Sequence, residues 1–219
     1  MAYFDEMAVQ AGQVIYFTSM ATGESVAFPA FITNFADNYN VGWSGDTTFG
    51  RVDPVRSYQS TSRSITAAFD IVGRSKEVAI QNFENYSKLI RMLYPTYGPQ
   101  IGASGNVRTI KAAPLFRIRY ANYIHSEKDP VGLLGTFGGV NFTPDFGGGH
   151  FLEGSPGDPI MIPVIYNMSI NFTPMHEKIL GSEHGSGTWL GGDQFPYKLG
   201  DFEGKGTSPA SESSVLGLY

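Results

Sequence analysis

Cysteine is absent from the 219 residues. That excludes disulfides, thiolate metal sites and a cysteine nucleophile together, and it fits folding in a reducing compartment. Charge is scarce as well: Asp, Glu, Lys and Arg make up 16% of the chain, and the formal net charge is −5. A protein that reads duplex DNA carries a basic face. The nearest approach to one here, Arg108, Lys111, Arg117 and Arg119, is sparse and reads as the solvated face of a strand. No apolar run reaches the roughly 18 residues of a membrane-spanning helix. The first six residues are acidic and lack the basic start of a secretory signal.

Signatures of catalysis are missing too. There is no Gly-x-Ser-x-Gly elbow to expose a serine nucleophile. The glycines before His150 lack the Gly-Lys-Ser/Thr ending that gives a phosphate loop its charge. The nearest pair among His125, His150, His176 and His184 is eight residues apart in a turn-rich tail, a poor spacing for converging metal ligands. Asp37, Asp46 and Asp53 could be offered as paired carboxylates, but they sit in a polar stretch where solvated turn aspartates are the default. The expectation is a chain with no catalytic residues, no metal and no cofactor.

Glycine (27 residues) and aromatics (14%) are plentiful. Gly-rich turns between Phe- and Tyr-rich segments favour short strands over bundled helices. At this length roughly 70% of the unfolded chain's surface can be buried, so a full core is feasible. Strands are predicted at 14–18 and 26–35, with a turn at 21–24 and Pro29 at an edge or bulge. Residues 36–63 read as a polar, turn-rich stretch anchored by Trp43, Phe49 and Tyr58. A loop of that length is uncommon in a compact domain, so either part of it is strand or it orders against a neighbour.

The strand at 65–71 alternates cleanly, with Ile65, Ala67, Phe69 and Ile71 on one face. One helix is predicted over 75–94. Its apolar stripe is Ala79, Phe83, Tyr86, Ile90 and Leu93, its N-cap is Ser75, and it stops at Pro95. A loop is predicted at 95–113, then strands at 115–123 and 132–143, with turns at 146–150 and 154–159. The last strand, 160–172, places apolar residues at every even position from Ile160 to Phe172. At ~3.3 Å per residue it spans about 43 Å, a length suited to a curved sheet or barrel wall. From Gly181 the chain turns Gly- and Ser-rich, with Trp189, Phe195, Tyr197 and Phe202 able to dock it on the same chain or a neighbour.

The order of segments resembles a known group. FITNFADNY at 31–39 leads to Trp43 and to FGRVDP at 49–54. Tyr58, Thr61 and RSIT at 63–66 follow, then the helix ending in LYP at 93–95, APLFRIRY at 113–120, and GDPI at 157–160 before the last strand. This resembles virion structural proteins of tailed phages. More loosely, it is similar to the tube-capping and baseplate hub-adaptor proteins of contractile injection systems. The likeness covers about residues 28–175. It departs in having Ala113-Pro114 where the pattern has Pro-Pro, and in a tail too short for the peptidoglycan-binding module that often follows.

The resemblance implies a mainly β (α+β), tail-tube-like fold: a β-sandwich or half-barrel with one flanking helix at about residues 75–94. It implies a single domain at 1–180 followed by a Gly/Ser-rich arm at 181–219. Copies would join as a sixfold ring in a virion tail, with other tail and baseplate proteins as partners. DNA would pass as cargo without sequence readout, and no membrane is involved. Trp43, Gly50, Arg51, Asp53 and Pro54 are the candidate subunit interface, with Arg51 pairing with Asp53 or reaching a neighbour. The alternative is a carbohydrate- or protein-binding β-sandwich module. An enzyme would need converging titratable groups in a pocket, for which no motif is present.

Overall fold

The computed structural model describes residues 12–47, 49–99, 108–126, 131–155 and 158–198. The acidic first residues, Phe202 and the rest of 199–219 lie outside the described residues, as does part of the predicted 95–113 loop. The chain is mainly β with a single α-helix: β1 (Val14–Ser19), β2 (Ser25–Pro29), β3 (Phe31–Asp46), β4 (Val55–Val72), α1 (Lys76–Met92), β5 (Thr96–Tyr97), β6 (Ile110–Ala112), β7 (Phe116–Tyr120), β8 (Leu133–Ser155) and β9 (Asp158–Pro174). Seven strands form one antiparallel sheet in the order β2-β1-β7-β8-β9-β4-β3, and β5 pairs with β6 in a small ribbon of its own.

The curl of this sheet follows from one connection. Strands β2 and β3 are its two edges, yet only Ala30 separates them in the chain. A flat sheet would hold those edges five strands apart, so the sheet rolls until they meet, and β2 touches β4. The Ala30 N–H donates to the Gln13 carbonyl at 2.8 Å, and the Tyr120 hydroxyl donates to the Ala30 carbonyl at 3.4 Å. These bonds satisfy the corner's buried backbone groups. The 26–35 strand of the sequence reading is therefore two strands, broken where the chain changes edge.

The alternating residues of 65–71 are buried as their period requires, and Phe17, Phe28, Phe116 and Phe172 meet them from the strands around the curl. Phe137 joins the layer, with ring centroids 4.7 Å from Phe116, 5.6 Å from Phe172 and 5.9 Å from Phe17. Each ring taken from water contributes roughly 1.5–3 kcal/mol. The helix packs against β2 and β9. Its N-cap Ser75 accepts from the Val78 N–H at 3.3 Å.

Several boundaries differ from the sequence reading. The buried line of α1 is Ala79, Asn82, Leu89 and Met92, while Phe83, Tyr86, Ile90 and Leu93 are half-buried. The helix is gripped on two flanks: Asn85 donates to the Ala27 carbonyl of β2 at 3.2 Å, and Tyr86 stacks on Phe142 of β8 at 4.3 Å. The deepest line thus falls between the flanks. The polar stretch 36–63 is mostly strand, paired from Ala36 with Thr66 to Asp46 with Val55. The predicted turn at 146–150 is an irregularity inside β8, where the Gly147 N–H donates to the Asp145 carboxylate at 2.9 Å, and pairing resumes at His150 with Pro163. Pairing reaches Ser155 with Asp158, so the strand continues into the predicted 154–159 turn. Ile160, the first residue of the last apolar stripe, is exposed.

Candidate functional site

Residues facing each other across an antiparallel pair share a face. Phe35 faces Ala67, Asp37 faces Ile65, Tyr39 faces Arg63, Val41 faces Thr61, and Trp43 faces Tyr58 after a bulge. Since Ile65 and Ala67 are core residues, the odd positions of β3 from Phe35 to Trp43 continue the core-facing side of the sheet. The core itself stops at Ile65. From Asn38 to Asp46 the β3–β4 ribbon runs on for about 30 Å as a finger. Val41, Trp43 and Tyr58 on that continued face are each slightly more than half exposed. Trp43 and Tyr58 meet edge to face at 5.6 Å, and the Tyr58 hydroxyl is 2.8 Å from that of Thr61.

The opposite face of the same strands is small and polar. One row across four strands reads Ala36, Thr66, Asn171, Gly139, and the next Asn34, Ala68, Ser169, Asn141. Neither row carries a charge. Asp70, one step along, has its carboxylate held by the Asn167 side-chain N–H at 2.9 Å.

At the root of the finger is a buried ion pair. The Arg63 Nε and Nη2 donate to the two oxygens of Asp37 at 2.9 and 2.7 Å, and the two side chains are only 3% and 2% exposed. The Tyr39 and Tyr197 hydroxyls both donate to Asp37 Oδ2, at 3.1 and 3.0 Å. The guanidinium lies over both the Tyr39 ring (5.4 Å) and the Phe195 ring (5.6 Å), which themselves meet edge to face at 6.4 Å. Phe195 and Tyr197 arrive from residues 175–198, a strap that leaves β9 and crosses this face. Burial, opposed by the Arg63 charge and aided by the Asp37 carboxylate, pushes the Tyr39 phenol well above its ordinary range, so it stays a donor. Burial and the Asp37 hydrogen bond raise Tyr197 likewise.

The strap carries a titratable group of its own. His176 stacks edge-on against Phe195 at 5.7 Å. Burial, and then the Arg63 charge, lower its pKa below the ordinary 6.5, with Asp37 opposing. The folded protein therefore binds fewer protons here than the unfolded chain once the pH drops to about 6.5. Stability contributed by neutral His176 is present above that pH and is lost as the pH falls through the lowered pKa. Denaturant titrations between pH 7.5 and 5 should show stability declining toward acid, and His176→Gln should flatten that slope. An unchanged slope in the variant would assign it elsewhere.

The interface residues expected from sequence all fall on the finger. Trp43 is in β3 with its ring exposed, and Gly50, Arg51, Asp53 and Pro54 are in the turn that joins β3 to β4. Gly50 has φ +83°, a left-handed conformation that suits glycine. No ion pair joins Arg51 to Asp53; ion pairs among the described residues include Asp37–Arg63, Lys76–Glu153 and Arg117–Glu177. Phe49 and Val52 in the same turn are fully exposed.

The sequence reading missed the Asp37–Arg63 pair. Asp37 is not a solvated turn residue, and eight residues of strand lie between it and Asp46. The available signal was parity: Asp37 falls in step with Phe35 and Tyr39, and Arg63 with Ile65 and Ala67. Among the described residues no three His, Asp or Glu side chains converge as metal ligands, and no helix is long and apolar enough to cross a membrane.

No family model and no curated protein matches the sequence. Among solved structures, the chain is similar to one in the tail of an empty GTA particle of C6 symmetry. The identity is 9%, the match covers 74% of this chain and 91% of that one, and the TM-score is 0.33. It is also similar to a chain of the 6-fold symmetrised anti-feeding prophage (AFP) baseplate. There the identity is 7%, coverage is 73% and 87%, and the TM-score is 0.29. With TM-scores this low, neither superposition assigns a role to this chain.

Proposed function

We propose that the protein is a structural component of a phage tail, at the tube or at the tube-initiating ring of the baseplate, which assembles with copies of itself and neighbouring tail proteins around a DNA channel. One observation carries the reading: the core-facing side of the sheet continues onto a finger that the protein's own core does not reach. An aromatic row of this kind, exposed on a paired ribbon, is the mark of an interaction surface. β2 and β3 are the edge strands of the sheet among the described residues, and such edges offer backbone donors and acceptors to a neighbour's strand.

The reading gives each face a task. The uncharged Asn/Ser/Thr rows would line the channel, where a passing polyanion meets no cation to hold it. The finger, with Trp43, Gly50, Arg51, Asp53 and Pro54, would meet the neighbouring copy. Residues 1–180 would be the ring-forming domain and 181–219 its arm.

Purified protein should form rings, sixfold in this reading, or stacked discs in mass photometry and negative-stain microscopy as its concentration rises, or join a tail particle with which it copurifies. Trp43→Ser should lower ring yield at least severalfold while the fold is retained. A wild-type protein that stays monomeric at every concentration and enters no particle would defeat the proposal and leave the aromatic row to a glycan- or protein-binding module.

A further inference from the structure

Among the described residues, the backbone of the strap, 175–198, is tied to the rest of the molecule only at its two ends. The Met175 N–H donates to the Leu134 carbonyl at 2.7 Å, and the Lys198 N–H donates to the Asn122 carbonyl at 3.1 Å. The backbone bonds between those ends close on the strap itself. The Glu183 N–H donates to the Thr188 carbonyl at 2.9 Å, the Leu190 N–H to the Gly181 carbonyl at 2.8 Å, and the Phe195 N–H to the Gly192 carbonyl at 3.3 Å. Side chains add the remaining ties. Phe195 meets Arg63 and Tyr39, Tyr197 donates to Asp37, and Glu177 accepts from both terminal nitrogens of Arg117, at 2.9 and 2.7 Å. Most residues of the strap are exposed. A segment with exposed backbone bonds and few buried contacts opens locally, at a free energy below that of the whole fold.

One titratable group stands where opening is decided. His176 follows the Met175 tie directly, is half-buried, and meets Phe195 edge-on at 5.7 Å. With Arg63, His125, Leu133, Gln194 and Phe195 it lines a cavity of about 70 Å³ between the strap and the sheet. That is room for water, which can deliver a proton. Among the described residues, the charged and titratable groups around His176 are Arg63 of β4, Asp37 of β3 with its two phenol donors, His125 after β7, and Glu177 and Lys178 of the strap. Both carboxylates are committed to arginines, Asp37 to Arg63 and Glu177 to Arg117. A proton on His176 therefore sets a second cation beside the Arg63 guanidinium.

We propose that the strap is a hinged latch that opens as one unit while the sheet stays folded, and that a proton on His176 opens it. Closed, the latch covers the Asp37–Arg63 pair. Open, it uncovers that pair and the Tyr39 ring at the root of the finger, so acid changes what the molecule presents there. While the strap is closed, burial and the Arg63 charge hold the His176 pKa below its ordinary 6.5. Lifting the strap parts the imidazole from Phe195 and Arg63 and returns it to solvent. The open form then binds more protons than the closed one, and opening is favoured as the pH falls through about 6.5.

Residue-resolved hydrogen exchange tests both parts, on the full chain at pH 7.5 and 5.5 and corrected for the intrinsic pH dependence of amide exchange. The amides of Glu183, Leu190 and Lys198 should be less protected than those of the β4–β9 ladder, by about tenfold or more, at both pH values. Their opening equilibrium should rise severalfold from pH 7.5 to 5.5. About tenfold is the limit for one histidine with an ordinary pKa in the open form. His176→Gln should leave the strap protected at pH 7.5 and remove the rise. Tyr197→Phe, which loses a tie to Asp37 without altering His176, should raise opening by a similar factor at both pH values and keep the rise.

Strap amides as protected as those of the ladder would mean that the strap opens only with the whole fold, and would overturn the latch. Strap amides without protection at pH 7.5 would mean that it is not closed in solution, and would overturn it equally. A rise that persists in His176→Gln would assign the trigger to another group, His125 or a strap carboxylate first, and would overturn the role of His176. No rise in the unaltered protein would overturn the proton as the trigger.

Discussion

Arg63→Met is expected to lower the unfolding free energy by about 3–5 kcal/mol, the range observed when one partner of a buried ion pair is removed. Both side chains are almost wholly shielded from water. Without the guanidinium, Asp37 keeps two phenol donors from Tyr39 and Tyr197 but has no countercharge. The rings of Tyr39 and Phe195 also lose the flat cation that lies over both of them, a further loss of order 1 kcal/mol. At this chain length each kcal/mol shifts the thermal midpoint by roughly 2–4 °C.

The paired change Asp37→Leu with Arg63→Met should recover most of the stability, because a well-packed apolar pair can match a buried ion pair in free energy. The double-mutant cycle separates the pair's coupling from packing losses. A cost under about 1 kcal/mol for Arg63→Met would mean that water reaches Asp37 and that the strap does not close over it in solution.

Gly135→Ala is expected to cost about 3 kcal/mol or more, at the upper end for overpacking. Gly135 lies opposite Pro174 at the end of the β8–β9 pairing and opposite Phe116 in the β7–β8 pairing. A Cβ there would stand 2.3 Å from the Thr173 carbonyl oxygen and 2.5 Å from the Phe172 ring. The Phe172 ring is fully buried and packed edge to face against Phe137, so it has no free space to turn into. The carbonyl belongs to the backbone and can move only by disturbing the ladder. Urea denaturation should show a lower midpoint with little change in slope. A loss below about 1 kcal/mol would mean that β8 and β9 separate easily at this end. Gly139→Ala, at a position where a Cβ meets nothing within 4 Å, is the matched control.

Period made much of this protein legible. Ile65, Ala67, Phe69 and Ile71 face the core because side chains alternate along a strand, and the helix lies where an apolar spacing of three and four begins after Ser75 and ends before Pro95. The finger was not legible as strand because its hydrophobic contrast is weak. Asn and Ser at the even positions face scattered aromatics at the odd ones, and the ladder with its partner strand holds the ribbon where no burial does. The helix stripe was misplaced because two flanks grip α1, a fact that resides in β2 and β8 and not in the helix.

The Asp37–Arg63 pair requires a register across 26 residues, and its Tyr197 donor comes from 160 residues away. Local pattern carries no information about which strands become neighbours. The sequence by itself determined the strand and helix periods, the scarcity of charge and the absence of thiol chemistry. The tertiary structure alone decided that β2 and β3, one residue apart, become the two edges of a curled sheet. It also decided that a carboxylate in an apolar row meets its arginine, and that the strap's aromatics come to rest on both. Those outcomes depend on pairing order and register, which are set by the sum of long-range contacts and not by any one segment.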